Sequence, residues 1–169
     1  MPTPDLVRVG VTGHIHLTKR SKHLVYDALL ALLGTHVGAT LRGITCLAEG
    51  TDQIFARAVL AARGSYEVIL PARDYRRRCV TRAGAHDFDT LLHGAVTVSY
   101  ASDDGSGEPA FVAANAELLR RCDQLIAVWD GEASPAASAT AQVVARARDQ
   151  GLPVTRVWPA GSRRRSVVR

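Results

Sequence analysis

The chain has 169 residues, 47% of them hydrophobic and 22% charged, which suits one globular domain with a single core. No apolar run approaches the ~20 residues of a membrane-spanning helix. The opening Met1-Pro2-Thr3-Pro4-Asp5 lacks the charged and apolar parts of a signal peptide, so a cytoplasmic protein without membrane association is expected.

Cys46, Cys79 and Cys122 are odd in number and show no Cys-x-x-Cys spacing, which argues against a disulfide framework or a zinc site. The net charge is +5, carried almost wholly by arginine. One cluster is Arg73, Arg76, Arg77, Arg78 and Arg82; another is Arg163, Arg164, Arg165 and Arg169. Such clusters are either a solvated surface or an attraction for anions. Aromatic residues make up 5%, leaving few platforms on which single-stranded bases could stack, so a nucleic acid partner is possible but not favoured.

Short β-rich runs alternate with helical periodicity along the chain. Leu6–Val11 reads as a first strand, and Leu17–Leu33 as a helix with Val25, Ala28, Leu29 and Leu32 on one stripe, closed by Gly34. Ile44–Ala48 is a second strand. Thr51 is placed to N-cap a helix whose stripe holds Ile54, Phe55, Ala58, Val59 and Ala62. Tyr66–Leu70 is a third strand. Residues 73–94 read as a loop with a short helix near Phe88–Leu92. Ala95–Tyr100 is a fourth strand, Pro109–Cys122 a helix, and Gln124–Trp129 a fifth strand. Gly131–Ser138 is a small-residue loop, Ala139–Gln150 a helix and Pro153–Trp158 a sixth strand. Leu125–Trp129 is apolar on both faces, as strands of a covered parallel sheet are. The expectation is a doubly wound, Rossmann-like three-layer α/β sandwich with about six mostly parallel strands, spanning 1–159. Residues 160–169 are expected to form a flexible arginine-rich tail.

Ligands of such folds bind beyond the carboxyl ends of the strands. The first of those loops, Gly10-Val11-Thr12-Gly13-His14-Ile15-His16, pairs two glycines with a helix start, which suits phosphate or a plain tight turn. It is neither a G-x-G-x-x-G fingerprint nor a P-loop. His14 and His16 lack the further ligands a metal needs, so no metal is expected. In the second loop, Glu49, Gly50, Thr51 and Asp52 are helix-start carboxylates and hydroxyls, or acceptors for ribose hydroxyls. Arg73 and Tyr75 follow the third strand and offer a cation and a ring. Asn115 falls on a stripe with Phe111, Leu118, Leu119 and Cys122; it bonds backbone or reaches a ligand. Asp130 and Gly131 end the fifth strand, and Ser138 and Thr140 open the next helix.

The stretch Asn115-Ala116-Glu117-Leu118-Leu119-Arg120-Arg121-Cys122-Asp123-Gln124-Leu125-Ile126-Ala127-Val128-Trp129-Asp130-Gly131 resembles a pattern of the SLOG superfamily, which includes LONELY GUY-type phosphoribohydrolases and the Rossmann-like domain of DNA-processing protein A. It also resembles the nucleoside 2-deoxyribosyltransferases. Gly10-Val11-Thr12-Gly13-His14, Ala48-Glu49-Gly50-Thr51-Asp52 and Gly151-Leu152-Pro153-Val154 favour the SLOG side. The resemblance implies a nucleotide-derived ligand, no required cofactor, and a homodimer or larger homo-oligomer. It implies ligand contacts at Thr12, Gly13, His14, Glu49, Gly50, Thr51, Asp52, Asn115, Asp130, Gly131 and Thr140.

Two departures stand out. Ile15 occupies the place of an arginine in the first loop. Ser138-Ala139-Thr140-Ala141-Gln142-Val143 replaces a glycine-rich turn followed by a catalytic glutamate, so that Gln142 or Val143 holds the acid's place. Glutamine is no carboxylate nucleophile. The leading expectation is therefore binding or sensing of a nucleotide-derived ligand without strong catalysis. The alternatives are an N-glycosidic hydrolase or transferase, for which Glu49 or Asp52 would have to supply the carboxylate, and an arginine-dependent nucleic acid or protein module.

Overall fold

The structure is a computed structural model that describes residues 3–36, 39–132 and 138–166. Its elements are β1 (Leu6–Gly13), α1 (Lys19–Leu33), β2 (Thr40–Thr45), α2 (Thr51–Ala61), β3 (Ser65–Leu70), α3 (Tyr75–Cys79), α4 (Ala85–His93), β4 (Thr97–Tyr100), α5 (Glu108–Arg121), β5 (Gln124–Val128), α6 (Ala139–Asp149) and β6 (Val154–Val157). The six strands form one sheet in the order β4-β3-β2-β1-β5-β6. Every pairing is parallel. This is the doubly wound α/β architecture expected from the strand–helix alternation. No described helix is long and apolar enough to cross a membrane.

The apolar pattern of the central strands is the cause. Val9 and Val11 of β1 enter a core on one face of the sheet with Val25 and Leu29 of α1 and Phe55 and Val59 of α2. On the opposite face, Ile44, Ile69 and Leu125 pack with Leu118 and Leu119 of α5 and Val143 and Ala147 of α6. Glycines set how closely the layers approach. A Cβ on Gly43 would lie 2.9 Å from both Phe55 and Val59 side-chain carbons, and one on Gly10 would lie 2.8 Å from the Cys122 sulfur. Glu67 breaks the apolar run of β3 but is partnered: Arg42 of β2 lies 3.0 Å away and Arg121 of α5 3.5 Å, with Arg121 also 2.6 Å from Glu117.

Several boundaries differ from those read in the sequence. The second strand ends at Thr45 rather than Ala48, because the Leu47 backbone turns to φ 59° and its amide donates to the Thr45 hydroxyl. Residues 73–94 hold two short helices, α3 and α4, rather than one. Helix α3 has only five residues, too few to show a 3.6-residue repeat. Of the small-residue loop 131–138, residues 133–137 lie outside the described residues. The arginine-rich segment after β6 was expected to be flexible; through Arg165 it is hydrogen-bonded to the start of α1. The Arg163 carbonyl accepts from the Thr18 amide at 3.2 Å, and the Arg165 amide donates to the His16 carbonyl at 2.9 Å.

The contact of Gly43 with α2 generates one expectation. Gly43→Ala should destabilise the protein by about 1–3 kcal/mol, since overpacking moves side chains off their rotamers. Urea unfolding should show a lower midpoint with an unchanged slope; an unchanged midpoint would mean α2 yields freely to the added methyl.

Candidate functional site

The sheet order makes β2, β1 and β5 neighbours, so the loops that leave their carboxyl ends share one rim. The chain runs from β1 toward β4 on one side and returns to β5 on the other. The rim beside β1 and β5 is thus the topological switch point where such folds bind ligands.

Two loops there are locked together. A Cβ on Gly13 would fall 2.5 Å from a Thr51 methyl, so only glycine admits the first residue of α2 at that distance. Gly50, at φ 81°, abuts the Ile15 carbonyl, where a Cβ would overlap it. Thr51 was expected to be the helix cap. The cap is Gly50 instead, and Thr51 opens the helix with its hydroxyl donating to the His14 carbonyl at 2.8 Å. The Thr51 amide points to the same oxygen at 3.4 Å.

His14 is 6% exposed and edge-on to Trp158, with ring centres 5.5 Å apart. Its Nε2 lies 3.4 Å from the Asp130 amide and 3.3 Å from the Asp130 carboxylate. Burial pushes the imidazole below its ordinary pKa, and the opposing pull of Asp130 does not restore it. Burial raises the Asp130 carboxyl, but the Glu132 amide, His14 and Arg164 outweigh it and hold the group below its ordinary value. Behind Asp130, Arg156 of β6 donates to the carbonyls of Trp129 and Asp130 at 3.0 and 2.7 Å, packed against Gly131 at φ 89°.

The start of α6 closes this end of the rim. The Ser138 hydroxyl caps it, accepting from the Ala141 amide at 3.1 Å. That leaves the amides of Ala139 and Thr140 in the first turn, where helical amides have no partner within the helix. Thr140 is 4% exposed, yet its hydroxyl makes no hydrogen bond among the described residues. A cleft of about 440 Å³ is lined by Gly13, His14, His16, Ser138, Thr140, Arg164 and Arg165, among others. A second cleft shares Ser138 and Ala139 with it and runs between α5 and α6, past Phe111, Asn115, Gln142 and Val143. On the other side of His16, a third cleft passes Glu49, Gln53 and Thr81.

Most residues singled out in the sequence therefore meet at one rim: Gly13, His14, Ser138 and Thr140 in one cleft, Asn115 in the next, Glu49 and Gly50 in the third. Thr12, Thr51, Asp130 and Gly131 support the walls. Two further candidates have partners within the fold. Tyr75 was read as a ring offered to a ligand; it is 7% exposed, packed against Phe88 and Phe111 at 5.9 and 6.0 Å. Arg73 lies with its guanidinium 4.5 Å over the Tyr100 ring, which draws it to the edge strand β4 rather than to the β1 and β5 loops. Asp52 is turned into the fold, its carboxylate accepting from the Ala48 amide at 3.2 Å. Burial lifts its pKa to about 7 against the pull of the Ala48 and Cys46 amides. Sequence reasoning missed Arg164, His16 as a cleft residue, and Trp158. Arg164 reaches the rim by a long-range return of the chain that no local pattern encodes. Among the described residues no cluster of three or more His, Cys, Asp or Glu side chains is placed to hold a metal.

These features define a Rossmann-like α/β domain with its clefts at the switch point. Solved structures share this fold. DNA processing protein A from Streptococcus pneumoniae matches with a TM-score of 0.66 at 16% identity, over 92% of this chain and 52% of that one. DNA processing protein A from Helicobacter pylori matches with a TM-score of 0.62 at 17% identity, over 92% and 67%. The structural-genomics protein TM1055 matches with a TM-score of 0.58 at 16% identity, over 88% and 72%. This chain spans about half the length of the Streptococcus protein. No protein-family model matches it, and no curated protein does.

The buried Asp52 has a readable signature. Its folded-state pKa lies above that of the unfolded chain, so the folded state holds the extra proton between about pH 4 and 7. The stability that Asp52 contributes is present in full below that window and is lost as pH rises through it. Asp52→Asn keeps an uncharged acceptor for the Ala48 amide. The stability difference between variant and wild type should therefore grow in the variant's favour from pH 4 to pH 7 and level off above. Urea midpoints across that range test it, and a pH-independent difference would refute the assignment.

Proposed function

We propose that this chain binds a nucleotide-derived ligand at the carboxyl rim of its sheet, with the phosphate at the start of α6 against Gly13 and Thr140. The sugar and base extend past His16 toward Glu49 or past Ser138 toward Asn115. The observation that carries this reading is the start of α6: an 11-residue helix opens with Ser138 and Thr140 lining the cleft that Gly13 and His14 border. Helix amides and the helix dipole favour an anion at that position. The motif resemblance to the SLOG superfamily and the fold likeness to DNA processing protein A support the same assignment.

Binding or sensing fits better than N-glycosidic catalysis. Gln142 and Val143 line the cleft where the resemblance places an acid. Of the two substitute carboxylates, Asp52 is turned inward, and Glu49 accepts from the Thr81 hydroxyl at 3.0 Å. The resemblance also leads us to place the chain in a homodimer or larger homo-oligomer, for which the exposed Phe111 and Val112 of α5 supply apolar surface beside the site.

A second reading, nucleic acid binding, draws on the Helicobacter structure, which is described in a single-stranded DNA binding mode. Three of the five clustered arginines are already engaged, Arg76 with Asp89, Arg78 with Asp74 and Arg73 with Tyr100. This weakens that reading relative to a small ligand.

A thermal-shift panel of nucleotides, nucleosides, ADP-ribose and cyclic dinucleotides tests the proposal. A true ligand at 100 times its Kd adds about 2.7 kcal/mol, or roughly 5–10 °C in Tm. Thr140→Val should leave the ligand-free Tm unchanged or higher, because it removes an unpartnered hydroxyl. The same variant should cut affinity by about tenfold or more, the worth of one hydrogen bond to a charged group. A flat panel, or a ligand shift untouched by Thr140→Val, would count against this site.

A further inference from the structure

Ser21 lies fully buried on the inner face of α1, where a serine is out of place unless something satisfies it. What satisfies it is the segment after β6. The chain turns there, with the Ser162 amide donating to the Pro159 carbonyl at 3.0 Å. It then runs back antiparallel to the start of α1, bridging Leu17 and Arg164. The Ser21 hydroxyl donates to the Arg163 carbonyl at 3.0 Å and lies 2.7 Å from the Arg163 amide, which donates to it. The segment is thus a strap built into the fold, and the residue it carries over the cleft is Arg164.

Arg164 meets the protein through a single nitrogen. Its Nη2 lies 2.8 Å from the Asp130 carboxylate and 2.9 Å from that of Glu132. Its Nη1 and Nε make no contact among the described residues. A guanidinium has five N–H donors in one rigid plane; two are used, on Nη2, and three remain, one on Nε and two on Nη1. That residue lines the same cleft as Gly13 and Thr140. Ile15 in the first loop offers no charge there.

We propose that Arg164 is the cation that binds the ligand's phosphate in this cleft. Its remaining Nε and Nη1 donors serve the phosphate oxygens, while Asp130 and Glu132 fix its plane through Nη2. The Thr140 hydroxyl and the α6 amides donate from the opposite wall. This inference rests on the nucleotide-ligand reading above and names the group that reads the phosphate. Glu132 is the more exposed of the two carboxylates, 57% against 21%, and competes with the incoming anion for the same guanidinium.

Titration calorimetry with AMP, GMP, CMP and UMP, each against its nucleoside, tests the assignment on the full chain. Arg164→Ala should weaken the monophosphate that wild type binds by about tenfold or more, as the loss of a hydrogen bond between charged groups does, and leave its nucleoside within about twofold. Arg164→Lys should fall between, since it keeps the charge without the planar array of donors. Glu132→Gln should tighten monophosphate binding and gives an independent reading should Arg164→Ala disturb the strap. Undiminished monophosphate affinity in Arg164→Ala, an equal loss on the nucleoside, or no tightening in Glu132→Gln would each overturn the role of Arg164 while leaving the nucleotide site standing. A wild type that binds none of these compounds would bring down the site reading itself.

Discussion

The carbonyl of His14 is the point on which the rim turns. A strand that ends at the edge of a parallel sheet leaves a backbone oxygen without a ladder partner, and a buried one must be satisfied elsewhere. Here the hydroxyl and amide of Thr51 converge on it from the next crossover helix. They can do so because Gly13 and Gly50 leave room on either side of the contact. The arrangement decides several things at once. It sets where α2 begins, and it turns Asp52 inward onto the Ala48 amide. It also leaves Glu49 facing outward onto Thr81 and the third cleft. A larger residue at position 13 would push Thr51 off the carbonyl and separate the loops that form the walls.

The β5 end is organised by charge rather than by close approach. Arg156 holds the Trp129 and Asp130 carbonyls from one side, and Arg164 holds the Asp130 carboxylate from the other. The Nε2 of the buried His14 faces both the Asp130 amide and its carboxylate. The amide, carbonyl and carboxylate of Asp130 are thereby all partnered before a ligand arrives. A site fixed in this way loses little side-chain entropy on binding, which is where much of the cost of association lies.

The division between what the sequence discloses and what it hides follows the range of the interactions. Strands apolar on both faces and helices with one apolar stripe are local patterns, and from them the covered parallel sheet and four of its five crossovers could be read. Residues at strand ends, such as Gly13, Asp130 and Thr140, were legible because topology alone places them at the rim. Arg73 and Tyr75 have equally suggestive positions, but Tyr100 and Phe88, both distant in sequence, claim their side chains. The strap is the extreme case. It contributes no periodicity, and its anchor is a serine 142 residues away. One trace of it was present in Ser21, a polar residue in line with Val25 and Leu29 on the buried face of α1. A polar residue on an apolar stripe points to an unseen partner.

The positive charge of the chain takes on a different meaning once its partners are placed. A surplus of +5 with clustered arginines reads, in sequence, as a surface for anions. In the fold much of that arginine is structural: Arg42 and Arg121 neutralise Glu67 beneath α5, Arg76 clasps Asp89, and Arg120 clasps Glu117. Charge already spent on a carboxylate contributes little field at a distance. Arg164 differs in kind, since both of its carboxylate contacts fall on one nitrogen and leave the rest of the guanidinium facing a cleft. A cation held from behind and open in front reads one phosphate by geometry. A dispersed basic surface attracts any polyanion and fixes none, so the arrangement of this charge, more than its amount, points to a small phosphorylated ligand.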